Sequence, residues 1–246
     1  MSDDERGRAM AEDYGQPILP GAGASDYERY LRTDDLLALQ KAPEEMVHRD
    51  ELLFQTVHQS SELWLKLACW EVEGTIDRLR AGDLGAAIRL LRRAVHCIAI
   101  ITAHLPMLEH MSPWEYRTVR RVLGHGSGFD SPGFTRVGEV TPRLGAAFEG
   151  LLHAHGLSAV ELYLRGREFD ALYQVAELLL DWDERLTLWR VTHFKVVERI
   201  IGGEVIGTQG TPVEVLGQLV HTQRFPALWK ARNELTEMAK RDDGAG

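Results

Sequence analysis

Two histidines could carry chemistry, because each lies on a long stretch with a strong helical period. His58 follows Phe54 by one helical turn, and His193 is the single titratable member of an apolar stripe. The stripe consists of Leu186, Trp189, His193, Val196 and Ile200. A lone histidine on an apolar face is most often a hydrogen-bonded core residue. Here two histidines lie on two long helices, each among aromatic and aliphatic side chains. A haem requires such surroundings.

Three separated motifs extend this pattern. Residues 53–66 read Leu-Phe-x-x-x-His-Gln-x-x-Glu-Leu-Trp-x-Lys, and residues 127–131 read Ser-Gly-Phe-x-Ser. Residues 189–202 read Trp-Arg-x-x-His-x-x-x-Val-Glu-Arg-x-Ile-Gly. In this order and at these separations, the motifs resemble the tryptophan 2,3-dioxygenase family. The resemblance runs from about residue 27 to residue 229, which is nearly the whole chain.

The resemblance implies a b-type haem with dioxygen as co-substrate. His193 would be the proximal iron ligand, and His58, the predicted catalytic residue, would lie on the distal side. Phe54 and Tyr116 would form walls of the substrate pocket. A neutral proximal imidazole, unlike a thiolate, favours binding dioxygen intact. His58 would then be a hydrogen-bond partner of the indole N–H or of dioxygen, and not an essential base.

Arg120 is the residue expected to bind a substrate carboxylate. It shares a helix face with Tyr116, and the glycine-rich loop 124–129 that follows can fold over a small ligand, which the bidentate guanidinium could grip. The resemblance gives this role to an arginine seven residues before the serine of Ser-Gly-Phe, and Arg120 has that spacing to Ser127, which is also predicted to bind substrate. This loop departs from the family pattern at Asp130, where glutamine is usual, and at residues 132–133, where Pro-Gly replaces a polar helix start.

A second glycine-rich segment covers residues 202–212. The resemblance implies that it closes the pocket and that Thr208 contacts the substrate ammonium and carboxylate groups. Gln209, Thr211 and Pro212 depart from the family pattern, and this is the largest departure in the chain.

The N-terminal region is expected to act between subunits. A Tyr-x-x-Tyr-Leu segment stands at Tyr27, Tyr30 and Leu31. In the resembled family this segment crosses into a neighbouring subunit and helps line its pocket. The resemblance therefore implies a homotetramer in which these residues complete a neighbour's substrate site.

The predicted function is oxygen insertion at the indole C2=C3 bond of L-tryptophan or a substituted tryptophan, giving an N-formylkynurenine-type product. One alternative is a haem-dependent monooxygenase that forms a 2-oxindole, because the altered 207–212 loop could hold a modified substrate differently. The other is a non-catalytic haem sensor or carrier. Arg120 and the two glycine-rich loops argue against a carrier, which would not need them.

Composition narrows the class of protein. The net charge of −9 disfavours a nucleic-acid partner, since its phosphates would be repelled. The sequence has no apolar run long enough for a membrane span and no Cys-x-x-Cys-His motif for covalent haem attachment. Cys69 and Cys97 lie in apolar helical surroundings, which suits buried thiols in a reducing cytoplasm. We therefore expect a cytoplasmic protein.

Helical periodicity without an obvious linker predicts an all-α fold, a bundle of long antiparallel helices. The resemblance implies that this bundle encloses the b-type haem. Residues 1–24 are predicted to be a mobile arm, residues 25–240 a single haem-binding domain, and residues 241–246 a tail. The helix boundaries are predicted at 25–40, 43–80, 84–110 and 168–201, with helix starts at Ser112, Thr141-Pro142, Ser158 and Phe225.

Overall fold

A computed structural model of the chain describes residues 15–203, 217 and 221–243. These ranges form an all-α fold in which no strand occurs, so the predicted fold class is confirmed. The helices are α1 (Asp26–Leu31), α2 (Thr33–Leu37), α3 (Asp50–Arg80), α4 (Leu84–His104), α5 (Pro113–Arg120), α6 (Pro132–Ala154), α7 (Ala159–Leu164), α8 (Asp170–Ile201) and α9 (Pro226–Asp243). Short 3-10 helices cover Pro43–Glu45, Leu105–His110 and Gly128–Asp130. Within the described ranges, no helix is both long and apolar enough to cross a membrane.

The long helices α3, α4, α6 and α8 form the bundle, with α3 packed against α4 and α6, and α4 packed against α8. A tight turn at residues 81–83 joins α3 to α4, where Gly82 has a φ of 72° and the Asp83 side chain accepts a hydrogen bond from Ala86 N. This turn makes α3 and α4 an antiparallel hairpin, in agreement with the predicted bundle of antiparallel helices.

The buried apolar side chains of the described residues form two clusters of different size. The larger one fills the space between the four long helices and includes the fully buried Trp182 and Ile76. The smaller one lies where the start of α3 meets the end of α8, and it consists of Val57, Leu105, Leu108, Met111, Val119, Val196 and Ile200. Phe54 and Tyr116 pack against this smaller cluster, so it supports the candidate site.

The predicted helix starts at Ser112 and Ser158 are confirmed. Each serine side chain accepts a hydrogen bond from the backbone three residues later, and the glutamate there accepts one from the serine N–H. The long helix predicted over 168–201 is also present as α8, and α9 begins at Pro226, next to the predicted start.

Three predicted helices differ from the structure. The helix predicted over 43–80 is α-helical only from Asp50, because the chain makes a 3-10 turn at Pro43–Glu45 and is then extended at Met46. The helix expected over 25–40 is divided into α1 and α2, because Arg32 adopts a left-handed conformation with a φ of 54° and caps α1. The helix expected over 84–110 leaves α-helical geometry after His104 and ends as a 3-10 helix that contains Pro106. Proline removes a backbone donor, which explains the change at this point.

The predicted helix start at Thr141-Pro142 is wrong, because Pro142 lies inside α6. The apolar face of α6 is buried on both sides of this proline, and packing outweighs the missing donor. Thr141 also joins α6 to α8. Its hydroxyl donates to the Val137 carbonyl and accepts a hydrogen bond from Trp182 Nε1 of α8 at 3.1 Å.

Candidate active site

A cavity of about 730 Å³ lies between α3, α5, α8 and the loop that precedes α6. Its walls are mainly apolar, with a few polar groups facing inward. The lining includes six residues to which the sequence analysis assigns a role: Phe54, His58, Tyr116, Arg120, Ser127 and His193. The structure therefore brings residues 139 positions apart in the chain to one cavity of ligand-binding size.

His193 is held in the cavity wall as a neutral imidazole. Its ring stacks on Trp189, one helical turn earlier, with a centroid distance of 4.9 Å and an interplanar angle of 9°. Burial lowers the pKa of His193 to about 4, and the nearby His58 contributes to this shift. In the part of the chain that the structure describes, neither ring nitrogen has a hydrogen-bond partner. A lone pair is thus available to a ligand.

His58 is oriented by its own helix. Its Nδ1–H donates to the Phe54 carbonyl at 2.7 Å, and its ring stacks on the Phe54 ring at 4.0 Å. A carbonyl oxygen can only accept, so the proton is on Nδ1 and Nε2 is left as an acceptor. The ring surface is open to the cavity, while the surrounding walls desolvate it and lower its pKa. His58 is therefore a neutral hydrogen-bond acceptor.

His104 contacts α3 one turn after His58, a contact that the sequence does not reveal. Its Nε2 lies 2.9 Å from the Ser61 hydroxyl, which donates its own proton to the Val57 carbonyl at 2.7 Å. His104 must then be the donor to Ser61. Burial, together with the proximity of His58, lowers the pKa of His104. This contact joins the end of α4 to the helix turn that carries His58.

Arg120 and Tyr116 form the α5 side of the cavity. The Tyr116 ring lies 6.3 Å from the Phe54 ring, and burial raises its pKa, an effect that the Arg120 charge partly offsets. Within the described ranges, the Arg120 guanidinium makes no hydrogen bond and no ion pair. A half-buried cation without a partner favours an anionic ligand.

The loop between α5 and α6 brings Ser127 and Gly128 to the cavity. The Ser127 hydroxyl accepts a hydrogen bond from Phe129 N, and Asp130 Oδ2 accepts one from Ser127 N at 2.9 Å. Asp130, which departs from the family pattern, thus completes a capping box. A Cβ at Gly128 would lie 4.0 Å from His193 Nε2, so glycine keeps the space beside this nitrogen open.

These features fit a haem. The iron ligand would be the His193 imidazole, which is neutral and has no hydrogen-bond partner among the described residues. The walls are largely apolar, and the loop beside its nitrogen has no side chain at Gly128. Trp189 Nε1 is also buried without a partner in the described ranges, an arrangement that costs free energy unless a bound group supplies an acceptor.

Several cavity residues have no role in the sequence prediction. Glu62, Phe134 and the two arginines Arg190 and Arg224 also line the cavity. Burial lowers the pKa of Arg190 to about 10, with Arg224 acting in the same direction and Asp183 opposing it. Glu62 and Arg190 belong to the recognised motifs, so motif membership was the signal that could have identified them.

Three of the predicted substrate-binding residues do not line this cavity in the described chain. Tyr27, Tyr30 and Leu31 are exposed on α1, with 68%, 78% and 45% of their surfaces accessible. Their predicted site is in a neighbouring subunit, so this position in one chain does not test it. Thr208 lies outside the described residues.

Comparison with known proteins gives one consistent result. The family model described as tryptophan 2,3-dioxygenase matches residues 13–147. Proteins named tryptophan 2,3-dioxygenase from Bacillus cereus and Caulobacter vibrioides are 31% and 32% identical to the chain over 85% of its length, which covers 92% and 98% of those proteins. The protein of that name from Pseudomonas aeruginosa is 31% identical over 86% of the chain and 90% of its own length. With a cavity lined by all three motifs, the chain belongs to the tryptophan 2,3-dioxygenase family.

Proposed function

We propose that the protein is a haem-dependent dioxygenase that cleaves the indole C2=C3 bond of L-tryptophan, or of a substituted tryptophan, to an N-formylkynurenine-type product. One observation carries this proposal: two neutral histidines converge on a single largely apolar cavity with an arginine that has no ion pair among the described residues. The relatives, which match the chain over most of its length, are named for this activity. A haem sensor or carrier would have no use for Arg120.

His193 would hold the haem iron. Its low pKa keeps the imidazole neutral at physiological pH, and the stacked Trp189 ring fixes its plane. When bound, haem supplies the iron centre that activates dioxygen for reaction with the indole ring.

His58 would orient the indole. Because its proton is on Nδ1, its Nε2 can accept a hydrogen bond from the indole N–H. The stack with Phe54 limits rotation of the imidazole, and apolar walls suit the aromatic ring of the substrate. In this arrangement His58 selects one orientation of the ring and removes no proton from it.

Arg120 would bind the substrate carboxylate at the other side of the cavity. A bidentate guanidinium–carboxylate pair fixes both the position and the direction of the amino-acid backbone. Ser127 lies at the same wall and could add a hydroxyl donor. Two fixed ends, the indole N–H and the carboxylate, would then hold C2 and C3 in one place while both oxygen atoms are transferred. Thr208 is proposed to contact the ammonium group from the second loop.

The protein is further proposed to be a homotetramer in which Tyr27, Tyr30 and Leu31 reach a neighbour's pocket. Support comes from how the N-terminal segment is attached: Gln55 and Gln59 of α3 bond to the backbone at Lys41 and Leu39, and Glu51 accepts from Lys41 Nζ at 2.6 Å. The segment is thus anchored at its far end, and its tyrosines point into solvent in the single chain.

An apolar stripe on the outer side of α3 gives independent support for a second copy. Leu63, Leu67 and Trp70 recur at helical spacing and are exposed, Trp70 to 72%. A row of large apolar side chains on a surface marks an interaction site. Deleting residues 1–31 should reduce both assembly and turnover, and a fully active monomer without them would disprove the trans contribution. The buried free thiols Cys69 and Cys97 suit the proposed cytoplasmic location.

Turnover tests the function directly. Protein reconstituted with haem and supplied with a reductant, dioxygen and L-tryptophan should consume the amino acid and develop the absorbance of an opened indole ring. Tryptophan methyl ester, which lacks the carboxylate charge, is the matched control and should bind more weakly. Haem binding without any consumption of an indole substrate would favour the sensor alternative.

A further inference from the structure

Glu62 lines the cavity four residues after His58, and both of its carboxylate oxygens are used across the bundle. Oε1 accepts a hydrogen bond from the Ser131 hydroxyl at 2.5 Å, and Oε2 accepts one from the Gly133 backbone N–H at 2.9 Å. Both partners belong to the start of α6. A single side chain of α3 therefore holds the first turn of a different helix.

The Ser131 hydroxyl takes part in two hydrogen bonds, one to α3 and one within α6. It donates to Glu62, and the same oxygen accepts a hydrogen bond from Phe134 N at 3.1 Å. Ser131 is thus the N-cap of α6 and is itself fixed by α3. The Ser131 side chain therefore fixes both the orientation of the start of α6 and its distance from α3.

Gly133 allows this close approach. A Cβ at position 133 would lie 2.6 Å from Glu62 Oε2 and 2.7 Å from Leu65 Cβ. These distances are too short for any side chain without a shift of the helix start. The Pro-Gly pair at residues 132–133 therefore fits a contact with α3 that a larger residue at 133 would prevent.

The start of α6, which Glu62 fixes, directly follows the loop over the cavity in the chain. The loop leaves α5 after Arg120, carries Ser127 and Gly128 past His193, and ends at Ser131. Its internal hydrogen bonds define its shape, but its position relative to the two histidines depends on where its ends are attached. Glu62 attaches the C-terminal end to the helix that carries His58.

We propose that Glu62 is a positioning residue. It sets the distance between the Ser127–Gly128 loop and His58, and so the width of the cavity, while Gly133 makes this setting possible. The effect on substrate affinity rests on the function proposed above, whereas the effect on the loop is a property of the chain alone.

The experiment compares Glu62→Ala with Glu62→Gln and with Glu73→Ala. Glu73 is the matched control, because it also joins α3 to α6, through Arg136 and Arg143, but lies 11 residues, roughly 16 Å, farther along α3. Glutamine keeps one acceptor for Gly133 N and offers its NH2 group to the Ser131 oxygen. It should therefore preserve the attachment.

The first readout is amide hydrogen exchange of the haem-free protein at Ser127 N and Asp130 N. Neither amide bonds to Glu62, so any change reports loop position and not the loss of a direct acceptor. In Glu62→Ala we expect exchange at these amides to rise by about tenfold or more, because two hydrogen bonds to a charged group are lost. Glu62→Gln should stay within about threefold of wild type, and Glu73→Ala should leave the loop unchanged.

The second readout is the separation of KM from kcat in the reconstituted enzyme. Glu62→Ala should raise KM for tryptophan by about tenfold or more with a smaller change in kcat, and Glu62→Gln should restore KM. If the protein binds haem but has no turnover, the exchange result still stands and only the proposed function fails. Wild-type exchange in Glu62→Ala would overturn the positioning role, as would an equal increase in Glu73→Ala.

A further variant keeps the proposal testable if Glu62→Ala does not fold. Gly133→Ala leaves the carboxylate intact but forces the helix start away from it, and it should loosen the same loop amides. Gly150→Ala is its control, because a Cβ at this exposed position of α6 meets nothing within 4 Å. Equal exchange in both alanine variants would contradict the proposal.

Discussion

The two halves of α3 have different functions: one packs in the core and the other lines the cavity. In the C-terminal half, Val72, Ile76 and Leu79 are completely buried in the large core. In the N-terminal half, the corresponding inward face carries Phe54, His58 and, further along, Glu62, which line the cavity. The first half is stabilised by close packing, and the second leaves space and polar groups for a ligand. α8 shows the same division in reverse order, with buried Trp182 near its middle and His193 near its end.

This comparison explains how a binding cavity can exist in a marginally stable fold. Removing water from the large core supplies most of the favourable free energy, while cavity residues forgo part of theirs. Changes in the cavity halves should therefore alter ligand binding more than stability. Changes in the core halves should do the opposite.

The largest expected effect is loss of haem from His193→Ala. Among the described residues, no other histidine of the cavity lining has both ring nitrogens without a hydrogen bond, so haem binding should fall below detection in a titration followed by its absorbance spectrum. His153→Ala removes an exposed histidine of α6 and should leave the titration unchanged. A His193→Ala protein with the wild-type ferrous spectrum would refute the ligand assignment.

Arg120→Leu should weaken substrate binding by about 2 to 5 kcal/mol, because the tryptophan carboxylate would be left unpaired in a partly desolvated pocket. Haem content should stay normal. The control is Arg121→Leu, since the neighbouring arginine is exposed and does not line the cavity. Calorimetric or kinetic affinities would reveal the difference, and similar losses in both variants would argue against a specific carboxylate site.

Ile76→Ala should test the core half of α3. Truncating this fully buried side chain should lower the free energy of unfolding by about 2 to 5 kcal/mol. Tryptophan affinity of the remaining folded protein should be unchanged. Phe54→Ala is the matched change in the cavity half and should have the reverse profile, with less loss of stability and a clear loss of affinity. Urea denaturation and substrate titration of both variants would measure the contrast.

The smallest effect concerns pH and the haem-free protein. The folded pKa of His193, about 4, is below its unfolded value of 6.5, so the unfolded chain binds more protons between these values. Stability should therefore fall as pH falls through this window. The loss should be about 1.5 kcal/mol between pH 6.5 and 5 from His193 alone. His58 and His104 act in the same direction. Unfolding of His193→Gln should depend less on pH, and an unchanged slope would contradict the buried neutral state.

Local signals made much of the fold predictable. Serine followed three residues later by glutamate marks the starts of α5 and α7, because both capping partners lie within one turn. The positions of His58 and His193 could be predicted from helical period and motif order. Pro142 misled the prediction because its local preference was outweighed by burial of α6, which depends on residues distant in sequence.

The contacts of Glu62 and His104 could not be predicted in the same way. Glu62 meets Ser131 and Gly133 across about 70 positions, and His104 meets Ser61 across 43. No periodicity in either segment specifies the partner, because each contact depends on how two helices pack. The sequence assigned roles to six residues that line the cavity, and the structure was needed to identify the contacts that hold neighbouring segments in place.

The most direct test of the central claim is the mass of the product formed from L-tryptophan under isotopically labelled dioxygen. If His58 and Arg120 hold the indole in one orientation through both oxygen transfers, the product should carry two labelled atoms and the absorbance of an opened ring. A product with a single labelled atom and an intact 2-oxindole ring would contradict this account.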